Sequence, residues 1–289
     1  MRGCPSTRAA TVRAVNRPAE MDTRFAFGEN WRRFIQDVTP ERITIAEGSL
    51  REKLGLDDLR GRTFLDVGCG SGLFSLAATR LGADHVHSFD YDEQSVGATA
   101  LLKEQHNPDA AWTIERGDVT SADYMASLGQ FNIVYAWGVL HHTGAMWQAM
   151  ENAAARVAPG GLFFVAIYNE QGRTSKRWRA IKRLYNRLPG AVRVPYAIVV
   201  MLPAELRRLG GATLRGRPWS YVAGWTRTRA RGMSRWHDLL DWVGGYPFEV
   251  AKPEEVFRFC RDRGFELLEL KTWGGGLGCN EFVFRSGTR

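Results

Sequence analysis

Residues 65–72 read Leu65-Asp66-Val67-Gly68-Cys69-Gly70-Ser71-Gly72. A short apolar strand runs into three glycines at alternate positions, and a helical pattern opens at Leu73. Glycines let a backbone bend tightly and approach a ligand. The N–H groups at the start of the following helix then face any anionic or polar group held there. The dinucleotide fingerprint Gly-x-Gly-x-x-Gly would need its last glycine at position 73, which is Leu73. The turn therefore allows close approach to a ligand without matching that fingerprint.

Outward from this turn the chain alternates strands and helices. Thr63–Val67 and His85–Phe89 read as strands, Leu73–Leu81 and Glu93–Gln105 as helices. Trp112–Glu115, Phe131–Tyr135 and Leu162–Tyr168 read as further strands, with a helix over Trp147–Val157. Such alternation predicts an α/β fold with a mostly parallel sheet covered by helices on both faces. After a break, Pro253–Arg263 reads as a helix and Phe265–Thr272 and Glu281–Arg285 as strands, which would complete seven strands. Upstream, Trp31, Phe34, Ile35 and Val38 recur at helical spacing, predicting one helix over Phe25–Leu50.

The Asp-x-Gly-x-Gly-x-Gly turn resembles the first motif of the class I S-adenosylmethionine-dependent methyltransferases, and further matching pieces follow in order. Phe89-Asp90 ends the second strand, and Gly117-Asp118-Val119 follows the third. Phe131-Asn132-Ile133-Val134 with Val139-Leu140-His141-His142 resembles the fourth motif, and Ala158-Pro159-Gly160-Gly161-Leu162 the fifth. Asn132 departs from the family, which usually has Asp there. The resemblance covers residues 60–170, with weaker support over 250–285, and is similar to the branch containing quinone and natural-product O-methylating enzymes. It implies a Rossmann-like fold and S-adenosylmethionine as cofactor. It also implies a cofactor site of Asp66, Gly68, Gly70, Gly72, Asp90, Tyr91, Asp118, Val119 and Trp137. In that reading Asp90 accepts both ribose hydroxyls, Asp118 meets the adenine amino group and Tyr91 packs on the adenine. Asp66 acts on the ammonium directly or through the turn, or else caps the loop's own N–H groups. Asp92, two residues past Asp90, suits a helix cap.

Methyl transfer from a sulfonium is an in-line displacement, so alignment is the main demand; a hydroxyl acceptor also needs proton removal, whereas a carboxylate does not. Two histidine sites are candidates for catalysis. His141 and His142 follow the fourth strand. In Trp236-His237-Asp238-Leu239-Leu240-Asp241-Trp242, His237 and Asp241 are i and i+4 on one helix face, either an oriented base or a surface ion pair. Tyr168, Asn169, Arg173, Arg177 and Trp236 are candidate substrate contacts. Phe27-Gly28-Glu29-Asn30-Trp31 reads as helix initiation and packing, or as a cap over the cofactor. Gly244-Gly245-Tyr246-Pro247 suggests a tight turn or lid hinge.

The 289 residues carry a net charge of +8, unevenly spread. Arg173 to Arg235 holds 14 Arg and 2 Lys against the single acid Glu205, a net +15. The first nineteen residues add +4, which leaves −11 on the rest. Such a segment implies an anionic partner or surface. Three readings follow: arginine forks on an anionic small molecule, an RNA clamp, or contact with an anionic membrane. The apolar run Ala191–Pro203 is expected to be the core of a helical cap, with a dip into a membrane interface as its alternative. The RNA-enzyme Asn/Asp-Pro-Pro-Tyr type of site is absent, since Trp137-Gly138-Val139-Leu140 stands in its place. This favours a small molecule, anionic or lipid-like, methylated on oxygen, with an RNA methyltransferase as the alternative and a non-catalytic S-adenosylmethionine-binding subunit behind it.

Cys4, Cys69, Cys260 and Cys279 form no CxxC pair, and no Cys/His cluster has metal-ligand spacing. Scattered thiols suit a reducing compartment, and a cytoplasmic protein, peripheral at most to a membrane, is expected. The Arg-rich start is expected to be a disordered tail over 1–21, with a transit-like segment as the alternative. The expected organisation continues with an N-terminal helical cap (22–62), the cofactor-binding core (63–170), the basic aromatic-rich cap insertion (171–248) and the completion of the sheet (249–289).

Overall fold

The computed structural model describes residues 31, 35, 38–223 and 235–288, with residues 235–238 and 241 described in backbone only. The expected tail over 1–21 and the 27–30 part of the expected cap lie outside the described residues.

The first strand, β1 (Thr63–Val67), is rich in β-branched and apolar residues and is buried almost throughout. It pairs in parallel with β2 (His85–Asp90) on one side and β4 (Phe131–Trp137) on the other. β3 (Trp112–Arg116) lies outside β2, and β5 (Val157–Tyr168) outside β4, both parallel. β7 (Cys279–Ser286) runs antiparallel between β5 and β6 (Phe265–Lys271), giving the order β3-β2-β1-β4-β5-β7-β6. The seven-stranded α/β sheet expected from the sequence is therefore present. Strand order reverses between β1 and β4, so a crevice opens at the carboxyl ends of these strands, where open α/β sheets bind ligands.

Period-two alternation divides the core. Leu65 and Val67 face one side with Val134, Phe163 and Phe282. That layer is covered by α4 (Ala122–Ser127), α5 (Met146–Ala154) and α10 (Pro253–Arg261). Phe64 faces the other side with Val86, Ile133, Tyr135 and Phe164. There it meets α1 (Pro40–Leu54), α2 (Leu73–Arg80) and α3 (Glu93–His106). Asn132 accepts hydrogen bonds from the Thr63 N–H and hydroxyl at 2.9 and 3.1 Å. Its departure from the family pattern thus ties the starts of β1 and β4 together.

The single N-terminal helix expected over Phe25–Leu50 is not continuous: Trp31 and Ile35 are helical, Val38 and Thr39 are not, and a separate helix begins at Pro40 and runs on to Leu54. Thr39 is extended (φ −107°, ψ 160°), because a residue before proline is pushed out of the helical region. Pro40 then opens a new helix at the position where its missing N–H costs nothing.

Between β5 and α10 the chain forms α6 (Arg173–Arg187), α7 (Gly190–Leu214), α8 (Pro218–Ala223) and α9 (Arg235–Gly244). Tyr185, Ala197, Leu239 and Val243 make a small core among them. The expectation that Ala191–Pro203 is the core of this region does not hold. Ala197 is the only fully buried residue of α7, and most of the run faces outward.

Candidate functional site

A cavity of about 490 Å³ opens over the carboxyl ends of β1, β2 and β4. Its floor is the glycine turn. Gly68, Gly70 and Gly72 have φ of 72°, 55° and 76°, a region that side-chain-bearing residues rarely adopt. A Cβ at Gly68 would overlap the side chain of Val139, so glycine is also needed there for space. Over Gly70 lies the indole of Trp31, which lines the cavity.

Asp90, at the end of β2, accepts the Gly70 N–H at 3.0 Å on one oxygen and the Asp92 N–H at 2.9 Å on the other. Burial raises its pKa to about 6. Asp92 caps α3 by accepting the Gln94 N–H at 2.9 Å. Asp118 holds its own turn, accepting the Thr120 N–H and hydroxyl at 2.9 and 2.7 Å. Tyr91 and Val119 join these acids on the wall, and Arg116 lies 5.7 Å over the Tyr91 ring.

Asp66 is buried beneath the turn and accepts the Ser75 hydroxyl. Behind it Ser88 donates to Ser75 at 2.7 Å, and the Trp112 indole N–H donates to Ser88 at 2.7 Å. Each donor in this chain points toward the carboxylate, yet burial still outweighs the Ser75 bond, and the charge of Asp90 adds to it. The Asp66 pKa is raised to about 7.

These groups fit S-adenosylmethionine. Asp90 keeps further lone pairs for a ribose diol, Asp118 is an acceptor suited to an adenine amino group, and an acid beneath the turn suits an ammonium. The opposite half of the cavity is built by α1. Arg42, Ile45, Ala46, Ser49 and Lys53 line it at helical spacing, and Phe74, Tyr135, Trp137 and Tyr246 line the same cavity. Lys53 pairs with Glu281 of β7 at 2.6 Å, and Glu281 also accepts the Trp137 indole N–H at 2.9 Å. Burial pushes the Glu281 pKa up, but the Lys53 and Trp137 bonds prevail and hold it below the usual range.

His142 lies on the cavity wall, in the short 3₁₀ turn after β4. Its Nδ1 lies 2.7 Å from the Pro247 carbonyl oxygen, which can only accept, so Nδ1 carries the hydrogen. Burial and the neighbouring Lys182 charge lower its pKa to about 3. The ring is thus neutral near pH 7, with the lone pair on Nε2.

The description of a methyltransferase domain matches residues 40–197, more than half of the chain. This chain belongs to the methyltransferase-domain family. Ubiquinone biosynthesis O-methyltransferases from Methylobacterium sp. and Sinorhizobium fredii are 32% identical over 124 residues and 30% over 171 residues. These matches cover 43% and 55% of this chain and 48% and 66% of those proteins, so the chain spans about half to two thirds of their length. Among solved structures, magnesium protoporphyrin IX methyltransferase from Synechocystis PCC 6803, with bound SAH, has a TM-score of 0.52 at 16% identity. That match covers 90% of this chain and 94% of the other, a likeness of fold.

Within this methyltransferase domain, all the cofactor residues expected from the sequence except Gly72 line the cavity. Gly72 sits against Thr99, beneath the turn. His141 does not line it. That ring is fully buried, 3.9 Å from the Tyr168 ring centre, and burial, His142 and Lys182 lower its pKa well below the usual range. Tyr168 is packed among His141, Trp242 and Phe248. Asn169 donates to the Gly274 carbonyl at 2.8 Å and accepts from Asn280 at 3.1 Å, bonds that tie the end of β5 to the approach and start of β7. Arg173 and Arg177 are exposed on the first turns of α6, away from the cavity. The side chains of Trp236, His237 and Asp241 lie outside the described residues, although their backbone is helical in α9. Arg42, Ile45, Ser49 and Lys53 were not singled out from the sequence. Their i, i+3, i+7, i+11 spacing was a usable signal, but it reads equally as an ordinary amphipathic helix. Among the described residues no group of three or more His, Cys, Asp or Glu could hold a metal ion.

Proposed function

We propose that this chain binds S-adenosylmethionine in the β1–β2–β3 half of the cavity and methylates an oxygen of a small molecule held under α1. The observation that carries this is the continuity of the cavity. It joins Gly68, Asp90 and Asp118 to an aromatic chamber with His142 on its wall. Bound S-adenosylmethionine supplies a methyl group on a sulfonium sulfur, a leaving group that needs no further activation. The chain's task is then to align the acceptor and keep water out.

Phe74, Tyr135, Trp137 and Ile45 offer apolar and aromatic surface for a planar acceptor. Arg42 and Lys53 stand on that half of the wall, Lys53 paired with Glu281, so cationic donors are at hand for an acceptor oxygen. The Nε2 lone pair of His142 suits accepting a hydrogen bond from an acceptor hydroxyl, but the ring is too weakly basic to hold a proton at neutral pH. This supports an acceptor oxygen that is already ionised, or one acidic enough to lose its proton to water. The curated relatives named as O-methyltransferases support oxygen as the acceptor atom.

The test is to incubate the purified chain with methyl-labelled S-adenosylmethionine and an extract of its source cells, then count label in separate fractions. Label in the small-molecule or solvent-extractable fraction is the expected result, and base-labile label there identifies a methyl ester. Label confined to RNA would overturn the reading. No label, with SAH binding intact by calorimetry, would make the chain a non-catalytic binder.

A further inference from the structure

The largest feature that the cavity does not use is α7. Val192, Pro195, Val199, Leu202, Leu206 and Leu209 recur at alternating spacings of three and four along it. Residues so spaced share one face of a helix, here over about 25 Å. The opposite face, with Tyr196, Ala197 and Met201, packs on the small core shared with α6 and α9. The stripe is thus turned outward by the same packing that anchors the helix. Val199 is 69% exposed and Leu206 57%. At its carboxyl end Leu214 and Trp219 are 91% and 82% exposed, beside the exposed Arg215 and Arg217. A soluble monomer rarely leaves so long an apolar patch in water without a use for it.

We infer that the outward face of α7 and α8 binds an anionic membrane surface, the stripe seated among the acyl chains and the exposed arginines toward its carboxyl end, Arg207, Arg215 and Arg217, on lipid phosphates. Charge chooses this occupant over the alternatives. Residues 173–223 carry ten Arg and two Lys against Glu205, and Glu205 is itself engaged with Arg208 and Tyr221. A second copy placed stripe to stripe would bring two such segments together, and like charges at that range repel. An RNA would neutralise the arginines but leave the aliphatic stripe wet, since Val and Leu offer no stacking platform. An anionic bilayer satisfies both halves at once, and Trp at the rim suits the interface. No helix among the described residues is long and apolar enough to cross a membrane, so the contact lies in the plane of the surface. The inference does not rest on methyl transfer.

The full chain is to be tested by co-sedimentation with phosphatidylcholine vesicles and with vesicles containing equal parts phosphatidylglycerol. Binding to the anionic vesicles is expected to be at least about tenfold tighter, and to weaken as salt screens the arginines. The double variant Leu202→Asp/Leu206→Asp, at exposed positions, is expected to lose binding by about tenfold or more with its melting temperature and SAH affinity unchanged. Arg207→Glu/Arg215→Glu is expected to remove the preference for anionic lipid. Absence of vesicle binding, or equal binding by the stripe variant, would overturn the inference. A dimer in sedimentation velocity that the stripe variant abolishes, with no vesicle binding, would assign the face to a second copy. RNA binding insensitive to the stripe, with no vesicle binding, would make the segment an RNA clamp.

Discussion

Asp90 and Gly68 carry the sharpest single-residue expectations. Asp90 already holds the Gly70 and Asp92 N–H groups, which fix its plane toward the cavity. Asp90→Asn keeps the shape but replaces one acceptor oxygen by a donor and removes the charge. Hydrogen bonds to charged groups contribute about 1.5–3 kcal/mol, so SAH affinity should fall roughly 10- to 100-fold in calorimetry. Wild-type affinity should rise as pH passes about 6, where Asp90 ionises, and the variant should lose that dependence. Gly68→Ala must keep φ near 72° and push the new methyl into Val139. Strain of this kind costs about 1–3 kcal/mol, so both melting temperature and SAH binding should drop together. His142→Ala removes the donor to the Pro247 carbonyl, which lies beside the cavity residue Tyr246. Loss of a buried hydrogen-bond partner costs about 1–3 kcal/mol. The acceptor KM should rise while SAH affinity stays near wild type.

At the scale of elements, α1 separates the two halves of the cavity experimentally. Ser49 lines the cavity from the second half of the helix. Ser49→Trp is expected to fill the acceptor half, lowering methyl transfer at least about tenfold while leaving SAH binding within a factor of two. Equal loss of both would mean that the halves are not separate. The legibility of the sequence follows the same division. The glycine turn, the acids after β2 and β3, and all seven strands could be read in the chain, because each rests on local chemistry: β-branched runs, φ-permissive glycines and capping acids. The α1 part of the lining could not, because that helix is brought to the site only by packing on α2 and by the Lys53–Glu281 pair with β7. The substrate contacts expected at Tyr168, Asn169, Arg173 and Arg177 were placed by nearness to the end of β5. Tyr168 instead packs against His141, Trp242 and Phe248, Asn169 is held by Gly274 and Asn280, and Arg173 and Arg177 are exposed on α6. The exposure of α7 was equally hidden, since an apolar run reads the same whether it is turned into a core or away from it.

Over the whole molecule, the cavity acids and the Lys53–Glu281–Trp137 link respond to pH in opposite directions. Glu281 joins α1, β4 and β7, and its pKa is held below 4.5, so its contribution to stability is present above that value and is lost as pH falls. Asp66 and Asp90 behave the other way. Unfolded, both ionise near 3.8; in the free folded chain they ionise at about 7 and about 6. Between these limits the folded state binds more protons than the unfolded state, so stability falls as pH rises from about 4 to about 7. Asp66→Asn keeps an acceptor for the Ser75 hydroxyl but cannot ionise. It should be more stable than wild type at pH 8 by about 2–4 kcal/mol in chemical denaturation, melt at a higher temperature, and show a flatter slope of stability against pH. In the proposed binding mode, in which the product's ammonium would lie by Asp66 and its diol by Asp90, binding would compensate the two buried charges. The melting-temperature gap between SAH-bound and free chain should therefore widen steadily from pH 5 to pH 8 at saturating ligand, beyond what mass action alone gives. Parallel curves in thermal melts would mean that neither acid titrates in the free protein. A gap that widens in Asp66→Asn as much as in wild type would assign the whole effect to Asp90.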